Sequence, residues 1–154
     1  MNTANTKSKG VGKKILTAVL VALVAGGAVA WYLFTKKFDD TAAAKADYTV
    51  NALEFMQEFH KDISSANKKY TEKIVTVNGR IAQVEAADTT INLKMIDTTT
   101  GDYVIFAFQQ QDMPAAKQVK TGDSVSVKGS CSGGLYSDIL ETGYITFKRC
   151  SLNK

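Results

Sequence analysis

The chain has 154 residues, of which 22% are charged, and a formal net charge of +4. Six lysines precede residue 38 and all acidic residues follow it, so from residue 38 onward 13 basic residues face 15 acidic ones, a balance of −2. This balance argues against a nucleic-acid-binding domain, because such binding begins with phosphate neutralisation by a basic face. The length accommodates one domain and one short additional segment.

The first predicted element is an apolar helix over residues 15–34, a run of twenty residues without a charge. At about 1.5 Å per residue such a helix matches the hydrocarbon core of a bilayer, about 30 Å thick. The sequence therefore predicts a single-pass signal anchor. Residues 1–14 precede it, a linker of residues 35–48 follows, and residues 49–154 form the folded domain.

The outer end of the anchor has two interpretations. Aromatic and basic residues follow in the order expected at a membrane interface: Trp31, Tyr32, Lys36 and Lys37. This order favours a helix that is retained. The alternative is cleavage after Ala30, because Ala28-Val29-Ala30 has the small-x-small pattern of a signal peptidase site and would release the domain as a secreted protein.

Lysines and small residues give the anchor an orientation and a candidate contact. Four lysines lie just before the run and Asp39 and Asp40 follow it, so the positive-inside rule places the N-terminus in the cytoplasm and the domain outside. Small residues recur every four positions, at Ala18, Ala22, Gly26 and Ala30. This stripe is a candidate homodimer contact, although alanine is also simply common in such helices.

A helical segment opens the predicted domain. Asn51 is placed as an N-cap, with Glu54 three residues later as in a capping box. Apolar residues then recur at three- and four-residue steps: Ala52, Phe55, Met56, Phe59, Ile63, Ala66 and Tyr70. Ser64, Ser65 and Asn67 are predicted to divide this helix into two pieces. We expect it to cover a sheet or the end of a barrel.

Five short strands follow, with the period of two that half-buried strands show. They are predicted at Ile74–Ile81 with a bend at Gly79, Ile91–Met95, Val104–Phe108, from Val125, and Ile145–Leu152. A short helix with Pro114 in its first turn separates the third from the fourth. This order predicts a mainly β fold, a closed five-stranded OB-fold Greek-key barrel.

The outer face of the second and third strands is the usual ligand face of this fold. The candidate ligand residues are Arg80, Asn92, Lys94, Tyr103, Ile105, Gln109 and Tyr136. One lysine and one tyrosine on the two strands provide neither the basic groove nor the several stacking rings of a single-strand site. A protein, peptide or glycan ligand is therefore favoured, and a nucleic-acid ligand is the alternative.

Cys131 and Cys150 are the two cysteines of the chain, and outside the cytoplasm they predict a disulfide. Cys150 is out of phase with Ile145, so a bulge near Lys148-Arg149 is needed to turn both cysteines inward. Buried free thiols and a redox pair are the alternatives.

Catalytic and metal chemistry lack a sequence signal. His60, the only histidine, is interpreted as a surface residue on the helix flank, near Glu58, Lys61 and Asp62. A zinc site needs about four ligands, and no nucleophile or phosphate-loop motif is present. We expect a non-enzymatic protein without metal or cofactor.

Several short segments resemble a known family. They are ADYTVNALEFMQEFHKDISSANKKY, KIVTVNGRI, VKTGDSVSVKGSCSG and YITFKRCSL, within residues 46–153. The N-K-K-Y at Asn67–Tyr70, the V-x-G of the first strand and the G-D-x-V-x-V-x-G-x-C of the fourth make the chain similar to the tRNA-anticodon-like OB-fold family of small bacterial membrane-anchored proteins. The resemblance implies an OB-fold held at the bacterial inner membrane with its domain in the periplasm. It implies nucleic-acid binding only by analogy of fold.

Overall fold

The computed structural model describes residues 19, 21–29, 31 and 41–153. The chain divides into two compact units, residues 1–38 and 39–154.

In the first unit, the described residues are helical and exposed. Among them no helix combines the length and apolarity needed to cross a membrane. Much of the predicted anchor, residues 15–34, lies outside the described residues. So do Ala18 and Ala30 of the small-residue stripe and Tyr32, Lys36 and Lys37 of the predicted interface.

The second unit is mainly β. Its strands are β1 Tyr48–Asn51, β2 Ile74–Arg80, β3 Gln83–Ala86, β4 Ile91–Ile96, β5 Tyr103–Phe108, β6 Ser124–Ser137 and β7 Thr142–Leu152. Its helices are α1 Ala52–Lys61, α2 Ile63–Tyr70 and α3 Met113–Ala116, the last preceded by a 3-10 turn at Gln110–Asp112.

The strands form one OB-like sheet in the order β1-β2-β6-β7-β5-β4-β3. Two pairs, β1 with β2 and β5 with β7, are parallel, and the remaining pairs are antiparallel. The predicted closed barrel of five strands is therefore wrong in one respect, since the sheet has seven strands and its ladder ends at β1 and β3.

The first predicted strand is divided because its backbone changes neighbours. The Ile81 N–H donates to the Asp123 carbonyl, whereas the Ala82 N–H donates to the Lys94 carbonyl of β4. The chain thus leaves β6 and joins β4 at this point. Gly79 has a different reason to be glycine: an added Cβ would lie 2.6 Å from Ala52 Cβ, where α1 packs on β2.

Alternation along β4 and β5 is confirmed. The predicted inward residues Ile91, Leu93, Met95, Val104, Phe106 and Phe108 are all buried, and the residues between them are half-buried. Since successive side chains of a strand point to opposite faces, one side of these strands lines the core and the other is available to a ligand.

The two helices begin at side-chain caps. Asn51 accepts a hydrogen bond from the Leu53 N–H at 2.9 Å, so the predicted N-cap of α1 is confirmed. The predicted break is displaced, because it falls at Asp62 and not at Ser64, Ser65 or Asn67. The Asp62 carboxylate accepts the Ser65 N–H at 3.0 Å and thereby starts α2.

Aromatic rings attach the helices to the sheet. The Phe55 ring centroid lies 5.0 Å from that of Phe59, 4.9 Å from that of Tyr70 and 5.8 Å from that of Phe147 in β7. Phe147 in turn contacts Phe106 of β5, with centroids 5.1 Å apart. Phe55 is therefore the centre of the contact between α1, α2 and the sheet.

The predicted bulge in β7 is confirmed. Lys128 of β6 is opposite Ser151, whereas Ser130 is opposite Lys148, so β7 contains one residue more than β6 over this interval. Arg149 has a φ of 54° there. The extra residue shifts the alternation and turns Cys150 into the core.

The predicted disulfide is wrong, because Cys131 and Cys150 are both free thiols and both buried. The register gives the reason: Cys131 is opposite Phe147, three positions along β7 from Cys150, and the sulfur of Cys150 lies instead against Gly129 of β6. Burial raises the pKa of Cys131 to about 11 and that of Cys150 well above its ordinary value. Both side chains are therefore neutral, unreactive thiols at physiological pH.

Candidate functional site

The outward side chains of β4, β5 and β7 form one surface, here called the outer face. Its members are Asn92 and Lys94 of β4, Tyr103 and Ile105 of β5, and Tyr144 and Thr146 of β7. The register joins them: Lys94 is opposite Ile105, which is opposite Thr146, and Tyr103 is opposite Tyr144. The structure thus brings together four of the predicted ligand residues.

Two tyrosines dominate this face. The rings of Tyr103 and Tyr144 are nearly parallel, with an interplanar angle of 18° and centroids 5.9 Å apart. Sequence reasoning missed Tyr144 because the fifth strand was started at Ile145. The signal was present, since Tyr144 continues the alternation of Ile145 and Phe147 by one residue toward the N-terminus of β7.

The lysine of the outer face is paired with a carboxylate. Lys94 Nζ lies 2.6 Å from Glu85 Oε1 on β3 and 5.6 Å from the centroid of the Tyr103 ring. A second lysine, Lys148 of β7, has its Nζ 3.1 Å from Oε1 of Glu72. Each of these cations therefore has an anion beside it, which reduces the net positive charge that this face offers to a phosphate.

The other predicted ligand residues lie at or beyond the margin of this face. Arg80 of β2 is opposite Ser124 of β6 and borders a pocket of about 310 Å³ that also includes Ile96. Gln109 follows β5, and its amide donates to the Asp112 carboxylate. Tyr136 is in β6, opposite Gly143, and lines a separate cleft beside α1.

Three residues of the N-K-K-Y segment of α2 form hydrogen bonds with other elements of the domain. The Asn67 amide donates to the Gly134 carbonyl at 2.9 Å and accepts the Gly134 N–H at 2.7 Å, so it pairs with β6 as a strand would. Lys69 and the Tyr70 hydroxyl both donate to the Glu58 carboxylate, at 2.8 and 2.7 Å. These contacts fix α2 to β6 and to α1, which gives the motif a structural role.

The pKa of Glu58 is set by burial and by its two hydrogen-bond donors, Lys69 and Tyr70. Burial alone raises the pKa of this carboxyl group, but the hydrogen bonds from Lys69 and Tyr70 lower it, and the net pKa is below its ordinary value. The group is therefore ionised at neutral pH, and its pairing with α2 is lost only in acid.

His60 has a partner that sequence reasoning missed. Its side chain is 54% exposed, as expected of a helix flank, but its Nδ1 lies 2.7 Å from Oδ2 of Asp102. The other carboxylate oxygen of Asp102 accepts the Gly143 N–H at 2.7 Å. The pair thus connects α1, the entry to β5 and the start of β7, which are far apart in the sequence.

This pair borders a cleft of about 260 Å³ between α1 and the paired segments of β6 and β7 at residues 134–136 and 143–145, here called the β6–β7 arms. Its lining includes Met56, Phe59, His60, Lys61, Leu135 and Tyr136. In the part of the chain that the structure describes, no group of three His, Cys, Asp or Glu residues is arranged to hold a metal ion.

Comparison with known families identifies the family to which this chain belongs. The family model tRNA_anti-like matches residues 9–141. The chain belongs to the tRNA_anti-like family. The resemblance found in the sequence is thereby confirmed, and the N-K-K-Y and G-D-x-V-x-V-x-G-x-C segments lie within the matched residues.

Among the solved structures similar to this chain, a bacterial lipoprotein has the same fold at low identity, and two tRNA synthetases score lower. A lipoprotein of Klebsiella pneumoniae, provisionally described as nucleic acid-binding, is 16% identical with a TM-score of 0.53, and the match covers 77% of this tRNA_anti-like chain and 100% of that one. A Leishmania major protein provisionally described as an aspartyl-tRNA synthetase is 9% identical with a TM-score of 0.44, over 77% of this chain and 22% of that one. The asparaginyl-tRNA synthetase of Pyrococcus horikoshii is 16% identical with a TM-score of 0.35, over 55% of this chain and 20% of that one. No curated protein matches the chain.

Proposed function

We propose that this tRNA_anti-like chain is a membrane-anchored, non-catalytic binding protein. Its domain lies outside the bacterial cytoplasmic membrane and holds a protein, peptide or glycan on the outer face. The observation that carries the proposal is the parallel pair Tyr103 and Tyr144 beside a lysine whose charge Glu85 already neutralises.

The chemistry of this face suits a ligand without phosphate. Each tyrosine offers an apolar ring face and a hydroxyl group, a combination that contacts sugar rings and peptide groups alike. Phosphate binding requires several uncompensated cations, whereas Lys94 and Lys148 are each paired with a glutamate. The balance of 13 basic and 15 acidic residues from residue 38 onward acts in the same direction.

The anchor is supported by the sequence and by one relative. Residues 15–34 are long and apolar enough to cross a bilayer. The Klebsiella pneumoniae relative is described as a lipoprotein, that is, a protein attached to a membrane by lipid. In this chain the apolar segment of residues 15–34 would attach the protein to the membrane instead of a lipid. Cleavage after Ala30 would instead release the domain.

We expect the mature chain to keep residues 15–34, because the aromatic residues Trp31 and Tyr32 extend the apolar run past the cleavage pattern. Intact-mass spectrometry of the protein extracted from bacterial membranes tests this directly. A mass corresponding to an N-terminus at Trp31, with the protein in the soluble fraction, would contradict the anchor and leave the binding proposal standing.

Nucleic acid is the second candidate ligand. Two observations favour it: stacked aromatic rings are the sequence-tolerant part of single-strand binding sites, and the Klebsiella pneumoniae relative is described as nucleic acid-binding.

The two candidates predict different results for the same protein. We expect short single-stranded DNA and RNA to bind at physiological salt no better than the non-specific range of about 10⁻⁴ to 10⁻⁶ M, measured by fluorescence anisotropy. Glycan and peptide arrays are expected to give retention that Tyr103→Ala abolishes, since Tyr103 belongs to the outer face. Tyr48→Ala, at a tyrosine outside the outer face, is the matched control and is expected to retain binding.

Submicromolar oligonucleotide binding would reverse the order of the candidates. It would have to weaken with added salt and fall in both Tyr144→Ala and Lys94→Gln, since stacking and charge would then act together on this face.

A further inference from the structure

The cleft between α1 and the β6–β7 arms has an apolar floor. Met56, Phe59 and Ile145 line it and are themselves 1%, 5% and 2% exposed. Leu135 and Tyr136 form a wall on β6 and remain 61% and 54% exposed. An apolar cleft with an exposed apolar wall gains free energy when a ligand side chain covers it.

The rim of this cleft presents hydrogen-bond donors. Both carboxylate oxygens of Asp102 are occupied, one by His60 Nδ1 and the other by the Gly143 N–H. Nδ1 therefore carries a proton in either form of the ring. Nε2 is the nitrogen left for a ligand, and it donates a hydrogen bond in the imidazolium form. Within residues 41–153, no partner is seen for His60 Nε2, for Lys61 Nζ or for the Tyr136 hydroxyl.

Charge complementarity identifies the ligand group to which these side chains donate. Lys61 supplies an ammonium group at the rim, and the imidazolium form of His60 donates from Nε2 while its Nδ1 remains hydrogen-bonded to Asp102. A ligand carboxylate is the acceptor that satisfies both, by the strongest class of hydrogen bond in proteins. Because Asp102 is fully engaged, it does not compete as a free anion for the same donors.

The size of the cleft limits what carries the carboxylate. At about 260 Å³ it is smaller than the pockets of roughly 300–1,000 Å³ that enclose whole drug-sized ligands. It accommodates one large side chain and not an extended acyl chain. A large apolar side chain beside a carboxylate is the C-terminal residue of a peptide.

We propose that this cleft binds the C-terminus of a peptide whose last residue is large and apolar, with its carboxylate held by His60 and Lys61. The site goes beyond the ligand proposed for the outer face and does not depend on it. Tyr144 borders both surfaces, so the two sites are adjacent.

The test uses the full chain in lipid nanodiscs, labelled with 13C at methionine methyl groups. The probes are N-acetyl-alanyl-phenylalanine with a free carboxylate and the same dipeptide as its amide. We expect the acid to shift the Met56 methyl signal, leave that of Met113 unchanged, and bind about tenfold more tightly than the amide, because only the acid forms charge-assisted bonds.

Variants of the rim separate this site from a general apolar contact. Lys61→Gln and His60→Ala are each expected to reduce the tenfold preference for the acid to about threefold or less. Lys117→Gln, at an exposed lysine after α3, is the matched control and is expected to keep it. Unchanged Met95 and Met113 signals show that each variant is folded.

Three results would overturn the proposal. They are equal binding of acid and amide, an unshifted Met56 signal at saturating acid, and tighter binding of decanoate than of the dipeptide acid. The last would show that the carboxylate belongs to an acyl ligand. Tyr103→Ala is expected to leave the dipeptide affinity unchanged, so a failure of the outer-face proposal is distinguishable from a failure here.

Discussion

Replacement of Phe55 with alanine is expected to lower the free energy of unfolding by about 4 kcal/mol, the usual cost of deleting a buried phenylalanine ring. The ring is 1% exposed and contacts Phe59, Tyr70 and Phe147. Its removal leaves a cavity at the one point where α1, α2 and β7 meet. None of these rings can refill the space without leaving its own contacts.

Urea unfolding of the full chain, followed by circular dichroism, gives the comparison. The matched control is Leu53→Ala on the same helix, whose side chain is 49% exposed. We expect this control to cost no more than about 1 kcal/mol. A Phe55→Ala cost as small as that of Leu53→Ala, with an unchanged urea dependence, would show that the aromatic cluster does not attach the helices to the sheet.

The inward faces of β4 and β5 were predictable from the sequence because their signals are local. A strand shows its buried face every second residue, so Leu93 and Phe106 reveal the inward side without knowledge of their partners. The bulge at Lys148-Arg149 was also accessible, because Cys150 breaks the phase that Ile145 sets. In both cases the information lies within a few residues of the position it concerns.

The candidate sites were less predictable because they join distant parts of the chain. His60 and Asp102 are separated by 42 positions, and their contact depends on how α1 lies across the β5 and β7 strands. The same holds for Lys94, whose neutralisation by Glu85 follows from the pairing of β3 with β4. Charge counting along the sequence found the overall balance but not which cations are already occupied.

The cysteines show how a location expected from the sequence can mislead the prediction of a disulfide. The disulfide is expected from the compartment and from the bulge that turns both cysteines inward, whereas its geometry depends on the register of β6 and β7. Cys131 is opposite Phe147, three positions along β7 from Cys150, whose sulfur lies against Gly129. Both side chains pack as small apolar groups in the core, a role that thiols fill well when buried.

The family motif now has a physical explanation that separates it from ligand binding. Asn67 is bonded to β6 and Tyr70 to α1, and neither belongs to the outer face. Gly133 and Gly134 are part of the same contact: a Cβ on Gly133 would lie 2.8 Å from Asn67 Oδ1, and one on Gly134 would lie 2.5 Å from the Phe59 ring. The contact that holds α2 on β6 and the proposed ligand face therefore depend on different residues.

Asn67→Ala is accordingly expected to destabilise the domain by about 3 kcal/mol, because it leaves both the N–H and the carbonyl of Gly134 without a partner in a partly buried position. The matched control is Asn78→Ala, at an exposed asparagine of β2, which we expect to change stability by no more than about 0.5 kcal/mol. Urea unfolding measures both variants, and hydrogen exchange at the Gly134 amide locates the effect. If water replaced the lost partner at no cost, Asn67→Ala would match Asn78→Ala in stability and Gly134 would keep its protection. That result would assign the asparagine to some role other than holding α2 on β6.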